Sequence, residues 1–177
     1  SGTAASLIGI EAAAQAWEGV TDETPEHEAE ALWTWREERI HALRMAHAIV
    51  YGWGGIPVLW SGDELAQPND PNWDTEPGHE ADSRWAGRRL VNRRDRSTVE
   101  GRVFTDLAHM AQVRAGLPQL DAAVRTQVQD VDDPGVLVTY RDHPRGSFVG
   151  VYNVTPQWRS VAADQLARLG GMGATDV

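Results

Sequence analysis

Apolar residues recur with the period of an α-helix in three parts of the chain. Residues 3–17 are rich in helix-forming residues and begin with Ser/Thr capping residues, and residues 26–53 carry apolar side chains on one face until a glycine pair ends the pattern. Residues 97–116 carry another apolar stripe. The sequence therefore predicts a helix in each of these segments.

The remaining apolar runs have the character of strands. Residues 56–60, "IPVLW", contain no polar residue, which is typical of a strand buried on both faces. Further on, "VLVTYRD" and "SFVGVYNVT" flank "HPRG" and predict a β-hairpin, and "WRSVAAD" is predicted to add a third strand. The order of helices, buried strand, long loop, helix and antiparallel strands indicates the end of an α/β unit followed by a small β domain.

Composition and charge exclude several classes of function. The net charge of −10 argues against general nucleic-acid binding and against electrostatic attachment to anionic lipid. The absence of cysteine excludes disulfides, thiolate metal ligands and a cysteine nucleophile. His41 and His47 are six residues apart, and not the four that places two ligands on one helix face, so no metal site is predicted. The eight tryptophans suit either sugar-ring platforms or core packing.

The long polar segment 61–89, directly after the predicted strand, holds two candidate groups of residues. Asp63 and Glu64 lie where α/β enzymes place their chemistry, but neighbours in an extended segment point to opposite sides, so a catalytic pair is not expected. Asp82 and Arg84 in "ADSRW" form the second group. They are expected either to make a fixed ion pair that closes a pocket or contacts sugar hydroxyls, or to form an ordinary solvated salt bridge.

Several blocks resemble, in order, the C-terminal third of the amylosucrases, which are sucrose-using members of the α-amylase superfamily (glycoside hydrolase family 13). These blocks are "SGTAASLIG", "GGIPVLWSGDELAQPNDPNW", "DSRWAGR", "STVEGRVFTDLAHMAQVR" and "LPQLDA". The second block alone is common to α-amylase-type barrels, whereas "SGTAASL" together with "DSRWAGR" is much narrower. The resemblance covers nearly the whole chain.

The resemblance implies an α/β fold, the C-terminal end of a (β/α)8 TIM barrel followed by the start of an antiparallel β-sandwich. Residues 1–118 would supply the seventh helix, the eighth strand, the loop after it and the eighth helix, and residues 119–177 would be a partial sandwich. The loop from residue 61 to about 91 would lie on the catalytic face and wall a deep sugar pocket.

The implied activity is cleavage of sucrose with retention, release of fructose and transfer of the glucosyl group to an α-1,4-glucan. The family's aspartate nucleophile, glutamate acid and third carboxylate all precede the part that this chain resembles. No catalytic residue is therefore expected here, and the isolated chain is expected to be inactive. Sucrose and α-glucan acceptors are the expected partners, with no metal or organic cofactor, nucleic acid or membrane. The sequence indicates no oligomeric state, and a cytoplasmic location is favoured only slightly over secretion.

Arg84 matches an arginine of the family motif "DSRWAHR" that pairs with an aspartate from an early barrel loop and shapes the floor of the sucrose pocket. The resemblance thus implies substrate binding by Arg84, with Asp82 beside it. Gly87 stands where the family has histidine, which leaves the acceptor contacts and the product open. The alternatives are a sucrose hydrolase, another α-amylase-family enzyme such as a trehalose-synthase-type isomerase, and a non-catalytic carbohydrate-binding remnant.

Overall fold

The computed structural model describes residues 2–90, 99–169, 173 and 175, and the chain folds into two compact units. The first unit comprises Ser1–Arg44 with Leu59–Leu107, and the second comprises Met45–Val58 with Ala108–Val177. The helices of the described residues are α1 (Ala4–Ile8), α2 (Ile10–Glu18), α3 (Glu26–Gly52), α4 (Val99–Gly116) and α5 (Ala163–Arg168). The strands are β1 (Thr126–Gln129), β2 (Val136–Arg141) and β3 (Phe148–Asn153). The predicted domain boundary at 118/119 stays a prediction.

The predicted first helix is in fact two helices, α1 and α2. Gly9 lies between them with φ of 85°, and its N–H donates to the carbonyls of Ala5 and Ser6. Glycine takes this left-handed conformation without steric cost, so it ends one helix and allows the next to start in a new direction. Thr3 caps α1, because its hydroxyl accepts a hydrogen bond from the amide of Ser6.

The two long helices form where the sequence predicted them, as α3 and α4. Residues 97–98 of the predicted helix 97–116 lie outside the described residues. In the first unit Ile40 and Leu43 of α3 are buried as predicted. On the predicted apolar face of α3, Val50 is 38% exposed. The apolar core of this unit consists of Ala5, Ala13, Ile40, Leu43, Leu65, Ala66, Ala86, Val103 and Leu107.

The predicted buried strand at residues 56–60 is not formed. The sheet of the described residues has no strand beside this segment, and Ile56 and Val58 are each about four-fifths exposed. A strand buries its backbone polar groups only by pairing with neighbours, so an apolar run without such neighbours remains irregular.

The second unit contains an antiparallel sheet in the order β1-β2-β3. The predicted hairpin is confirmed, with Val136 opposite Asn153 and Arg141 opposite Phe148. Strand β1 was not predicted, because "TQVQ" has a single apolar residue. The predicted strand "WRSVAAD" is wrong, because residues 158–162 are irregular and α5 begins at Ala163. The run "ADQLAR" is made of good helix formers, which explains that difference.

Arg141 is the largest fully buried side chain of the second unit. Its guanidinium donates Nε to the carbonyl of Gln119 at 2.7 Å, Nη2 to the carbonyl of Asp121, and Nη1 to the hydroxyl of Thr126 at 3.1 Å. Burial lowers the pKa of Arg141, and the positive charge of Arg114 lowers it further. Arginine nevertheless keeps its proton, so a buried positive charge is held here by neutral oxygen atoms.

Replacement of Arg141 by methionine is expected to destabilise the chain by about 3 kcal/mol, because the loss of the guanidinium leaves buried carbonyl groups without a donor. The free energy of unfolding measured in urea provides the test. Arg145→Met is the matched control, since Arg145 is exposed and, within the described part of the chain, only its backbone forms hydrogen bonds. Equal stability of the two variants would contradict the structural role of Arg141.

Candidate functional site

The long polar segment begins with a tight turn in which both predicted carboxylates bind backbone amides. Gly62 and Ala66 flank the 3-10 turn Asp63–Leu65 with positive φ angles of 104° and 49°. Asp63 Oδ1 accepts from the amide of Ala4 at 3.4 Å, and Glu64 Oε2 accepts from the amide of Gly62 at 2.7 Å. The two carboxylates therefore accept hydrogen bonds from backbone amides of different segments, one at the start of α1 and one in the turn itself.

Asn69 ties this segment to the start of α1. The amide of Thr3 donates to Asn69 Oδ1 at 2.8 Å, and the amide of Asn69 donates to the hydroxyl of Ser6 at 2.8 Å. The Ser6 hydroxyl in turn donates to the carboxylate of Glu11. Two of the sequence blocks, "SGTAAS" and the one containing "PND", thus form one hydrogen-bonded structure in the first unit.

The segment 61–90 also closes on itself. The amide of Asp70 donates to the carbonyl of Ala86 at 2.8 Å, and the indole N–H of Trp60 donates to the carbonyl of Gly87 at 2.8 Å. The amide group of Gln67 donates to the carbonyls of Arg89 and Leu90 at 3.3 and 3.2 Å. These bonds connect the first third of the segment to its last third, so the residues between them form a closed loop.

Asp82 and Arg84 lie together on this closed loop. Asp82 caps the 3-10 turn Ser83–Gly87, because its Oδ1 accepts from the backbone amide of Arg84 at 3.0 Å. The guanidinium of Arg84 donates Nε and Nη2 to the two carboxylate oxygens at 2.8 Å each. The Arg84 side chain is 70% exposed and the Asp82 side chain 29% exposed. The structure therefore brings the two predicted site residues together as an ion pair on the surface.

This pairing shifts the titration of both groups. The hydrogen bonds from the side chain and then the backbone of Arg84 lower the pKa of Asp82 to about 2. The same pairing raises the pKa of Arg84. The Nη1 amino group of Arg84 has no partner in the described part of the chain, so it presents its donors to solvent. It has the geometry to donate to a sugar hydroxyl or to a second carboxylate.

An aromatic cluster beside this pair was not predicted. The rings of His79 and Trp85 stack with their centroids 3.7 Å apart and an angle of 9° between the planes. The guanidinium of Arg88 lies 4.8 Å from the centroid of the Trp85 ring, and Glu76 lies 3.6 Å from His79 Nδ1. Trp85 is thus covered by its own loop and is no open platform for a sugar ring. An irregular loop has no period, so no sequence signal connects residues 79 and 85.

The described residues contain no group of three or more histidine, aspartate or glutamate side chains placed to hold a metal ion. In the same part of the chain no helix has both the length and the apolar character needed to cross a membrane. No model of a known protein family matches the sequence. The closed loop with its Asp82–Arg84 pair is therefore the feature from which a function is inferred.

The depressed pKa of Asp82 gives a direct test of the ion pair. Because the folded pKa lies below the unfolded one, the pair stabilises the fold above the unfolded pKa, and this contribution is lost as the pH falls through about 2. We expect a carbon-detected NMR titration to give an Asp82 midpoint of about 2. Arg84→Gln should raise this midpoint towards the ordinary aspartate range, and Arg89→Gln should leave it unchanged. A midpoint that does not respond to Arg84→Gln would show that the pair is absent in solution.

Proposed function

We propose that this chain is the C-terminal part of an amylosucrase-like retaining glucosyltransferase. In this proposal residues 1–118 complete a (β/α)8 barrel, and residues 119–177 begin a β-sandwich. The observation that carries it is the segment 56–60, which is wholly apolar and yet leaves Ile56 at 81% and Val58 at 80% exposure. A barrel strand has this character when its neighbouring strands are missing.

The closed loop supports a role in forming the sugar pocket. It follows the proposed barrel strand directly, and loops in that position form the active-site face of such barrels. Its internal hydrogen bonds and the attachment through Asn69 hold the loop in one conformation before any substrate binds. Preorganised donors cost less ordering entropy on binding than mobile ones do.

Within this loop, Arg84 is proposed to bind sucrose and Asp82 to position it. The two parallel hydrogen bonds from Arg84 to Asp82 fix the plane of the guanidinium. The exposed Nη1 donors are then available to a sugar hydroxyl or to an aspartate from another loop of the barrel. The nucleophile and the general acid would come from the preceding part of the barrel, and glucosyl transfer through a covalent intermediate would need no metal.

A non-catalytic carbohydrate-binding function is the second candidate, and one observation favours it. Trp158 in the second unit is 94% exposed, and an indole ring that is bare to solvent suits stacking on a sugar. Sucrose hydrolysis is the remaining enzymatic alternative, and it differs from the main proposal only in the acceptor of the glucosyl group.

The isolated chain is expected to release no fructose from sucrose, because the nucleophile and the general acid of the proposed reaction would come from a preceding part of the barrel. A coupled assay for free fructose measures this directly. Tryptophan fluorescence titrated with maltooligosaccharides, with Trp158→Ala as the comparison, tests the second candidate in the same samples. Fructose release by the pure chain would overturn the assignment of catalysis to an upstream segment.

The main proposal also predicts what the DNA upstream encodes and how substitutions in the full product change KM for sucrose. The DNA upstream of the Ser1 codon should continue in frame and encode the earlier barrel strands with a His-Asp-Asp motif. In the full product, Arg84→Ala should raise KM for sucrose by about tenfold or more, because a charge-assisted hydrogen bond to substrate is lost. Arg89→Ala removes an equal charge from the same loop and should keep KM near the wild-type value. A stop codon close to Ser1, or a full product inactive on sucrose, would contradict the proposal.

A further inference from the structure

The second unit contains a cavity of about 420 Å³, and all of its lining residues belong to that unit. This volume lies in the range of small-molecule binding sites. Its walls come from the end of α3, the segment after it, the last turns of α4 and the 3-10 turn Pro118–Leu120. Most of the lining side chains are apolar, including Ile56, Pro57, Leu117, Pro118 and Leu120.

Arg114 is the cation of this cavity, and its position is fixed by backbone carbonyls. Its Nη1 donates to the carbonyl of Trp53 at 3.1 Å and to that of Tyr51, and its Nη2 donates to the carbonyl of Gly55 at 2.6 Å. These carbonyls belong to the end of α3 and the residues after it, where a helix leaves carbonyls without intrahelical partners. These bonds hold the guanidinium in place and involve no carboxylate.

Within the described part of the chain, the hydrogen bonding of the lining leaves the guanidinium of Arg114 without a carboxylate partner. Among the described residues no carboxylate lies within 4.0 Å of a nitrogen of Arg114. Asp121 also lines the cavity, but its carboxylate accepts from the amide of Ala123 at 2.8 Å. The charges of Arg114 and Asp121 therefore balance in the lining, and Arg114 is the one of the two that offers charged hydrogen-bond donors.

We propose that this cavity binds a small organic monocarboxylate with an apolar body. The carboxylate would accept hydrogen bonds from Arg114, and the body would pack against Ile56, Leu117 and Leu120. A neutral sugar fits less well, because the largely apolar lining offers few hydrogen-bonding side chains, those of Tyr51, Arg114 and Asp121, to many hydroxyl groups. A phosphate dianion fits less well, because the negative charge of Asp121 repels a dianion more strongly than a monoanion. The inference goes beyond the proposed glucosyltransferase and uses residues of the second unit alone.

Phenylacetate, phenylacetamide and acetate separate the contributions of charge and apolar body. Isothermal titration and amide chemical shifts of the 177-residue chain are the readouts. We expect phenylacetate to bind and to shift the amides of Ala115 and Leu117. The neutral phenylacetamide should bind about tenfold more weakly, because it cannot form the charge-assisted bond, and acetate should also bind more weakly, because it lacks the apolar body. Equal binding of phenylacetate and phenylacetamide, or no binding of phenylacetate at millimolar concentration, would overturn the proposal.

Two variants locate the site, and a third is the control. Arg114→Gln removes the charge, and Ala115→Leu fills the cavity from an exposed position on α4, so it should leave the fold intact. Both should weaken phenylacetate binding by about tenfold or more. Gln112→Leu, an exposed position of the same helix outside the cavity, should bind as the wild type does. Wild-type affinity in a folded Ala115→Leu variant would refute the location. None of these readouts depends on sucrose turnover, so the inference and the proposed function fail separately.

Discussion

The need of every buried backbone carbonyl and amide for a hydrogen-bond partner shapes both units of this chain. Much of the chain lies outside helices and strands, so side chains supply the partners that a regular ladder would otherwise provide. In the first unit Asn69 and Gln67 bind the backbone of distant segments. In the second unit Arg114 and Arg141 donate to carbonyls at the end of α3 and after α4. In each unit, particular side chains form the hydrogen bonds that backbone groups outside helices and strands need, and these bonds fix the irregular segments.

This use of arginine has an electrostatic consequence in an acidic protein. The chain carries a net charge of −10, yet Arg114 and Arg141 donate to neutral oxygen atoms and, among the described residues, have no carboxylate within 4.0 Å of their nitrogens. Arg84 differs from these two arginines, because its positive charge is paired with the carboxylate of Asp82. A guanidinium whose hydrogen bonds go to carbonyls attracts anions. A guanidinium that is paired with a carboxylate contributes mainly hydrogen-bond donors of fixed orientation. The two candidate sites therefore differ in the kind of ligand they suit.

The elements that were predicted correctly are those that a local sequence pattern indicates. In helices α3 and α4 and in the hairpin of β2 and β3, the spacing of apolar residues within the segment itself indicates the element. The segment 56–60 was predicted as a strand and is irregular, because a strand depends on neighbours and not on its own composition. Asp82 and Arg84 were found because they are two residues apart. The hydrogen bonds of Arg114 join residues about sixty positions apart, so no local sequence pattern predicts them.

The exposed segment 56–60 also bears on how the chain behaves at high concentration. An exposed apolar run that lies outside any strand is a template for pairing between molecules, which is how many aggregates begin. Pro57 lies inside this run and has no N–H, so an uninterrupted ladder between two copies is not possible there. The excess of negative charge adds repulsion between whole molecules. Pro57 and the net negative charge are thus two separate features that oppose association through this exposed segment.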